Sequence, residues 1–406
     1  MSSPEIQPAS GEATTEGLSP TVKALGLVSL LTDFSSEMVY PLNPVFLTKV
    51  LGAPAWAVGL VEGAAESTAS ILKLYSGRLS DRVGKRKPLT VAGYSMAAVA
   101  KPMIGLAGPW GVMLAARLLD RAGKGIRSAP RDALIADTTS PLNRGRAFGL
   151  HRSMDTTGAV LGPLMGYVFL QRFPGQFRSL YLLAFLPAVL GVVVLVTVVR
   201  ERAKTGEAIK GSAAFSISGL SPSYRRYLLI IGLFALGNSS DAFILLRAQT
   251  MGVRADQMLL LYALFNVVEA TLGYAAGGLS DKVGRKPLIV AGWTIFALVY
   301  LGFALASSPG IAWALFVAYG LYYTFTQGTQ KAFAADLAHA DRRGAELGAF
   351  HMLLGLGALP ASLIAGALFS RVSPSAPFFM GAFTAALSAG LLLAFGPKKD
   401  ERPVLA

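Results

Sequence analysis

The sequence contains no cysteine and only three histidines, and 15% of its 406 residues are charged. Without cysteine, disulfides, iron–sulfur clusters and thiolate metal sites are excluded. The histidines, His151, His339 and His351, are scattered along the chain, so no metal site is predicted. Soluble domains usually carry about a quarter charged residues. Together with 53% hydrophobic residues and 44 glycines, this composition indicates an integral membrane protein.

The hydrophobic residues fall into twelve runs, each long enough for a spanning helix of about 20 residues. The predicted spans are 22–49, 55–79, 88–107, 110–138, 147–170, 178–200, 226–251, 257–280, 287–307, 310–338, 346–369 and 374–396. We therefore predict an all-α integral membrane fold. Its parts are a disordered tail 1–21, a six-helix half 22–200, a polar linker 201–225, a six-helix half 226–397 and a tail 398–406. The polar N-terminal stretch has no basic region before a short apolar core, so a cleavable signal peptide is not predicted.

Basic residues between the spans are concentrated on the side that carries both termini and the linker. The opposite side has few, namely Lys49, Arg172, Arg178, Arg254 and Arg371. The positive-inside rule then predicts that both termini lie in the cytoplasm, and a bacterial inner membrane is the expected location. This asymmetry accounts for the net charge of +14, so no nucleic-acid partner is predicted.

The two halves repeat each other. The segment Gly77–Tyr94 (GRLSDRVGKRKPLTVAGY) is repeated with few changes at Gly277–Trp293 (GGLSDKVGRKPLIVAGW). The segment DFSSE at 33–37 is matched less closely by GNSSD at 237–241. Duplicated halves are typical of a transporter whose binding site lies between them.

These motifs resemble the major facilitator superfamily, and the resemblance extends from about Val22 to Pro397. The family's loop between the second and third spans is matched closely at residues 77–87 and again at 278–286. The resemblance implies a conformational latch on the cytoplasmic side, in which Asp81 faces the eleventh span and the Lys85/Arg86 region pairs with Asp137. The implied latch residues are Gly77, Asp81, Arg82, Gly84, Lys85, Arg86, Asp137, Asp281, Gly284, Arg285 and Asp336. Fixing topology is the alternative role for the basic members.

The fifth span contains GAVLGPLMGY, which is similar to the signature of drug–proton antiporters at Gly158, Gly162, Pro163 and Gly166. Tyr167 replaces the last glycine of that signature. The resemblance favours export, and the alternative is ordinary close packing of helices through small residues.

The fourth predicted span carries a charged stripe. Arg117, Asp120, Arg121, Lys124, Arg127 and Arg131 fall within about a third of a helical wheel. This periodicity predicts a helix whose charged face meets protein or a water-filled cavity. By resemblance, Arg117 is the family's fourth-helix arginine, which the family associates with proton coupling. Asp120 and Arg121 depart from the usual Gln and Gly, which leaves an ordinary drug site in doubt.

Ionisable groups inside a membrane are costly and are functional candidates by default, although a structural ion-pair network is the alternative. The proton-coupling candidates are Asp33, Glu37, Glu66, Arg117, Asp120 and Asp155. The second half has fewer charges and more aromatic residues. The substrate-binding candidates are Arg121, Lys124, Arg127, Asn238, Asp241, Tyr262, Phe265, Glu269 and Tyr322.

We expect a secondary active transporter, a proton-coupled exporter of small amphipathic molecules or drugs. Competition between proton and substrate for the Glu37, Glu66 and Arg117 region would couple the two fluxes. The alternative is a carrier of an anionic metabolite or chelate, since the arginines of the fourth span suit carboxylate and phosphate. An enzyme is not expected, because no catalytic set is present and Gly123-Lys124 lacks the rest of a phosphate loop. The proton gradient would supply the energy, with no cofactor, and the chain is expected to be a monomer.

Overall fold

The computed structural model describes residues 18–83, 85–140, 143–201, 220–339 and 343–397, without the side chains of residues 78, 81–83, 274 and 343–345. The described chain is α-helical and contains no strand. The first half comprises α1 (Pro20–Glu37), a 3₁₀ turn (Tyr40–Leu42), α2 (Asn43–Val45), a π turn (Phe46–Val50), α3 (Ala55–Val83), α4 (Lys87–Gly105), α5 (Trp110–Asp137), α6 (Arg144–Arg172) and α7 (Phe177–Thr197). The second half comprises α8 (Pro222–Gly237), α9 (Ala242–Thr250), α10 (Ala255–Val283), α11 (Arg285–Leu305), α12 (Pro309–Leu337), α13 (Arg343–Arg371) and α14 (Ala376–Phe395).

The two halves begin with the same cap. Ser19 accepts a hydrogen bond from the Val22 amide and precedes Pro20, and Ser221 accepts one from the Tyr224 amide and precedes Pro222. A serine N-cap followed by proline at the first helical position starts a helix efficiently. The repeat therefore extends to local helix signals as well as to the longer motifs.

The packing of the two halves also repeats. In the first half α1 packs on α6 and α7, α3 packs on α5, and α4 packs on α5 and α7. In the second half α8 packs on α13 and α14, α10 packs on α12, and α11 packs on α12 and α14. The main contacts between the halves are α3 with α13 and α6 with α10, which are again equivalent pairs. The halves are thus related by an approximate twofold arrangement.

Two predicted spans are interrupted rather than continuous. The prediction of one helix over 22–49 is wrong, because α1 ends at Glu37 and shorter turns continue to Val50. The prediction of one helix over 226–251 is wrong as well, because Asn238–Asp241 separates α8 from α9. Both breaks carry polar groups toward the middle of the protein, and irregular backbone at that depth is tolerated where it is buried in protein or lines a cavity.

We call the face at which α1 begins and α14 ends the terminal face, and the opposite one the far face. By length and apolar composition, five stretches of the described chain could cross a membrane, or six with α10. The five are Phe177–Thr197, Pro222–Thr250, Arg285–Leu305, Glu346–Arg371 and Ala376–Phe395. The charged helix α5 is not among them, and its ionisable residues form the site described next.

Close contact between the halves runs along α3 and α13. An added Cβ on Gly59 would lie 2.1 Å from the Ser362 carbonyl oxygen, and one on Gly63 would lie 2.9 Å from the Leu359 Cα. Toward the terminal face, by contrast, an added Cβ on Gly149 of α6 or on Gly273 of α10 meets no atom of the described residues within 4 Å.

Candidate functional site

A polar cavity lies within the first half, and its lining comes from α1, the turns that follow it, α4 and α5. Its volume is about 40 Å³. The lining residues are Asp33, Ser36, Glu37, Val39, Tyr40, Asn43, Ala100, Lys101, Ile104, Arg117, Asp120, Arg121, Lys124 and Arg127. The prediction that the charged stripe of α5 faces a cavity agrees with this arrangement for all its members except Arg131, which pairs with the adjacent Asp132 at 2.8 Å.

Arg117 on α5 is held by Glu62 on α3. The Arg117 Nε atom donates to Glu62 Oε1 at 3.0 Å, and Nη2 donates to Oε2 at 2.6 Å. Asn43 Nδ2 approaches Glu62 Oε1 at 3.5 Å, and the Tyr181 hydroxyl donates to Asn43 Oδ1 at 2.7 Å. A two-pronged pair with further hydrogen bonds is the geometry that best offsets the cost of burying two charges.

Lys101 on α4 extends this network to Asp120. Its Nζ atom lies 3.4 Å from Asp120 Oδ1, and it donates to the Ser36 hydroxyl and to the Ala97 carbonyl oxygen, each at 3.0 Å. Arg117 Nη1 donates to the other Asp120 oxygen at 3.1 Å. Asp120, which replaces an uncharged residue of the family pattern, therefore pairs with two neighbouring cations.

Among the residues that the structure describes, three cavity residues have buried polar atoms for which no hydrogen-bond partner is present. These atoms are Glu37 Oε2, Arg121 Nε, and Arg127 Nε and Nη1. Arg121 has its nearest carboxylate, Glu66, at 3.9 Å, and Arg127 lies 4.3 Å from the centre of the Tyr94 ring. Buried polar groups are normally satisfied, so the arginine donors and the Glu37 acceptor are available to a ligand or to water.

An aromatic contact joins the cavity to the second half. Arg117 and Arg121 lie over the Tyr40 ring at 5.6 and 5.8 Å, and the Tyr40 ring lies 5.4 Å from that of Tyr262 on α10. The centre of the Tyr262 ring in turn lies 5.5 Å from the centre of the Phe265 ring. The ring faces offer a surface for cations and for flat apolar groups.

The rings of Tyr262, Phe265, Tyr319, Tyr322 and Tyr323 form the aromatic cluster of the second half. Asp241, at the break between α8 and α9, lies at the other end of this cluster. It accepts hydrogen bonds from the Tyr319 hydroxyl at 2.7 Å and from the Tyr323 hydroxyl at 3.2 Å. Asn238 Nδ2 donates to the Tyr322 hydroxyl at 3.3 Å. Apart from Glu269, the second-half candidates therefore form a group of their own, and they are not among the residues that line the cavity of the first half.

An arginine that the sequence analysis did not single out bridges the carboxylates of Asp155 and Glu269. Arg152 on α6 lies 3.4 Å from Asp155 and 3.2 Å from Glu269 on α10, so it links the two halves. Asp155 also accepts a hydrogen bond from the Ser29 hydroxyl at 2.6 Å. Glu269, predicted to bind substrate, thus takes part in an ion pair between the halves.

The glycines of the fifth-span motif lie against α1. An added Cβ would come within 2.4 Å of the Leu30 carbonyl oxygen at Gly158 and within 2.5 Å of the Phe34 carbonyl oxygen at Gly162. At Gly166 it would meet the Met38 carbonyl oxygen at 2.6 Å. Only hydrogen fits at these positions, so the motif sets the spacing between α1 and α6.

The latch motif forms ion pairs within each half. Arg86 Nε lies 3.1 Å from Asp137, as the resemblance implied, and Arg285 lies 2.6 Å from Asp281 and 3.4 Å from Asp336. Gly284 has a φ of +96°, a conformation that L side chains rarely adopt, so a glycine is required at this turn. The expected contact of Asp81 with the eleventh span, the side chain of Arg82 and the whole of Gly84 lie outside what the structure describes.

The sequence analysis did not select four of the site residues, namely Glu62, Lys101, Tyr40 and Arg152. Glu62 is one turn from Glu66 on the same helix, and the sequence pattern alone favours neither as the partner of Arg117. Lys101 carried a usable signal, because it is a lone lysine in an otherwise apolar run. In the described residues no group of three or more His, Asp or Glu side chains is arranged to hold a metal ion.

The sequence matches the model of the Major Facilitator Superfamily over residues 25–360 and 228–405. An uncharacterised MFS-type transporter of Methanocaldococcus jannaschii is 38% identical over 386 residues, covering 93% of this chain and 95% of the relative. Multidrug resistance protein MdtH of Photorhabdus laumondii is 35% identical over 144 residues, or 35% of each chain. Among solved structures, the nucleoside transporter NupG superposes with a TM-score of 0.74 at 13% identity, over 92% of this chain and 99% of that one.

Proposed function

This chain belongs to the major facilitator superfamily and is a membrane transporter of the secondary type, and we propose that it exports small amphipathic molecules in exchange for protons. The observation that carries the proposal is the cavity of the first half. It brings the carboxylates Asp33, Glu37 and Asp120 next to the cations Arg117 and Arg121, and it adjoins the aromatic cluster of the second half through Tyr40. Ionisable groups at such depth are typical of proton and substrate pathways.

The coupling follows from competition for the same groups. Glu37 has an unpartnered buried oxygen, and Glu66 lies near Arg121 with a side chain that is 53% exposed. Either carboxylate can hold a proton or a substrate group, but not both at once. Proton entry would then displace substrate, and each conformational change would carry one of the two across the membrane.

The fifth-span motif and the partial likeness to MdtH support export. The glycines at 158, 162 and 166 are in the places of the antiporter signature, and they hold α1 against α6. MdtH is called a multidrug resistance protein, and about a third of this chain resembles it. We further propose a bacterial inner membrane location, both termini in the cytoplasm, no cofactor and a monomer.

A second candidate is a carrier of organic anions, and one observation favours it. Arg127 is 6% exposed, lines the cavity, and has two unpartnered nitrogen atoms, while Arg121 has one. Guanidinium groups bind carboxylate and phosphate through paired hydrogen bonds. A substrate with a flat apolar body and an acidic group would use both the arginines and the Tyr40 ring.

The two candidates are separated by transport assays with defined probes. In everted vesicles that contain the protein, ethidium and 1-naphthoate are each added while a dye reports the internal pH. Alkalinisation on adding ethidium, lost in Glu37→Gln, supports export of cationic amphipathic molecules. A response to 1-naphthoate that is lost in Arg121→Ala and Arg127→Gln supports the anion carrier. Arg172→Gln, on the exposed far-face end of α6, is the matched control for the loss of one arginine.

A further inference from the structure

Two arginines of the cavity lie over aromatic rings. The Arg127 guanidinium lies 4.3 Å from the centre of the Tyr94 ring, and that of Arg121 lies 5.8 Å from the centre of the Tyr40 ring. Attraction to a ring face needs no oxygen acceptor, so the N–H groups can remain unused. Within the described part of the chain, Arg127 Nε and Nη1 and Arg121 Nε are buried and have no hydrogen-bond partner. These atoms can therefore donate to an acidic group that enters the cavity.

Arg117, on the same helix, is satisfied within the protein. Its Nε and Nη2 atoms donate to Glu62, and Nη1 donates to Asp120. Arg127 is almost equally buried, at 6% exposure against 4% for Arg117. Since a buried charge is costly unless it is paired and hydrogen-bonded, the missing acceptors of Arg127 point to a ligand or to water.

A carboxylate with the complementary need lines the same cavity. Glu37 Oε2 is buried and accepts no hydrogen bond from any of the described residues. Glu37 and Arg127 therefore do not satisfy each other, although both line one cavity. A ligand that carries an ammonium and a carboxylate would supply a partner to each of them.

The charges around the cavity balance one another. The cavity residues, taken with Glu62 and Glu66 that pair with Arg117 and Arg121, include as many acidic as basic side chains. A ligand without net charge leaves this balance unchanged. A simple anion or cation adds an uncompensated charge inside the membrane, which is costly. The balance therefore favours a zwitterion over a singly charged ligand.

The size of the cavity limits what can enter it. A buried water needs about 10–15 Å³, and a pocket that encloses a whole drug-sized ligand has about 300–1,000 Å³. The cavity, at about 40 Å³, has room for a charged head group but not for a large apolar body. Such a body finds an aromatic surface beside the cavity, where the Tyr40 ring lies 5.4 Å from the Tyr262 ring of α10.

We propose that this cavity binds the head group of a zwitterion, a molecule with an ammonium and a carboxylate on one apolar body. Arg121 and Arg127 bind the carboxylate, and Glu37 binds the ammonium. The rings of Tyr40 and Tyr262 hold the apolar body. The inference rests on the proposed transport function and names its substrate class. It also specifies the competition, because a proton on Glu37 displaces the ammonium while the arginines still hold the carboxylate.

Three compounds with the same indole body test the head group. Tryptophan carries both charges, tryptamine lacks the carboxylate, and indolepropionate lacks the ammonium. Isothermal titration calorimetry of the full chain in lipid nanodiscs measures each Kd at neutral pH. Tryptophan should bind at least about tenfold more tightly than either of the others, because it adds a second charged hydrogen bond. The proposal is overturned if tryptophan does not bind, or binds no more tightly than tryptamine or indolepropionate.

Single substitutions assign each charge of the ligand to its partner. Arg127→Gln should raise the Kd of tryptophan and of indolepropionate about tenfold and should not raise that of tryptamine. Glu37→Gln should raise the Kd of tryptophan and of tryptamine about tenfold and should not raise that of indolepropionate. Arg172→Gln, at the exposed far-face end of α6, is the matched control and should leave all three unchanged. An equal loss of all three ligands in either cavity variant would contradict the assignment.

The design also covers folding failure and separates the two proposals. If Arg127→Gln does not fold, Arg127→Lys keeps the charge without the paired donors, and it should weaken indolepropionate binding more than tryptamine binding. The three compounds on the native chain need no variant, and none of the titrations needs a proton gradient. If tryptophan binds as expected while vesicles exchange no protons for it, the exchange function fails and the head-group site stands. If vesicles exchange protons for ethidium but tryptophan binds no better than tryptamine, the head-group inference alone is wrong.

Discussion

Arg117 and Glu62 form a two-pronged ion pair between α5 and α3, with nitrogen–oxygen distances of 3.0 and 2.6 Å. Both residues are almost fully buried, at 4% and 5% exposure. The pair joins two helices of the first half and fixes the arginine whose guanidinium lies over Tyr40. The pair therefore helps to fix this part of the cavity wall, together with the bond from Arg117 to Asp120.

Glu62→Gln should destabilise the protein strongly. Removing one partner of a buried ion pair leaves the other charge uncompensated, which costs about 3–5 kcal/mol in soluble proteins. Thermal unfolding of the detergent-purified protein measures the loss as a lower Tm. Glu66→Gln is the matched control one turn away, because its carboxylate is half exposed and 3.9 Å from Arg121. Equal stability of the two variants would mean that the pair does not hold α3 to α5.

Gly158→Ala should separate α1 from α6. An added methyl group would overlap the Leu30 carbonyl oxygen at 2.4 Å, and overpacking of this kind costs about 1–3 kcal/mol. Gly149→Ala on the same helix meets no atom within 4 Å, and it should be neutral or stabilising by up to about 1 kcal/mol because alanine favours helix. Thermal unfolding of both variants distinguishes close packing from simple helix propensity. A tolerated Gly158→Ala would contradict the packing role.

Tyr319→Phe should weaken the second half by removing a donor to buried Asp241. The hydrogen bond is 2.7 Å long, and leaving a buried charged acceptor without its donor costs about 1–3 kcal/mol or more. Tyr323→Phe should cost less, because its bond to the same carboxylate is 3.2 Å. Tyr94→Phe is the control, since the buried Tyr94 hydroxyl has no hydrogen-bond partner within the described part of the chain and its removal should be neutral. Unfolding midpoints in denaturant test this order, and a reversed order would contradict it.

The sequence was sufficient to predict the fold class and the orientation of the charged face of α5 toward a cavity. Both depend on periodic patterns that extend over many residues. The pairing of Arg86 with Asp137 followed from the family motif. The partner of Arg117 was not predictable, because Glu62 and Glu66 are one helical turn apart and share a face. The break at Asn238–Asp241 was missed because the apolar residues on both sides form one continuous run. These features depend on tertiary packing, which a single helix pattern does not encode.

Gln171→Ala should shift the conformational equilibrium between the state open at the terminal face and the state open at the far face. Gln171 on α6 donates through Nε2 to Asp256 Oδ2 on α10, so it ties the halves together near the far face. A hydrogen bond to a charged group contributes about 1.5–3 kcal/mol, which is tenfold or more in a two-state equilibrium. If the halves rock about the central site, weakening the far-face contact favours closure of the terminal face. Spin labels at Gly149→Cys and Gly273→Cys should then move closer together. Arg172→Ala, at the next and exposed position, is the matched control and should leave the distance unchanged. A longer distance in Gln171→Ala would mean that α6 and α10 separate along their whole length, which excludes a rocking motion at this contact.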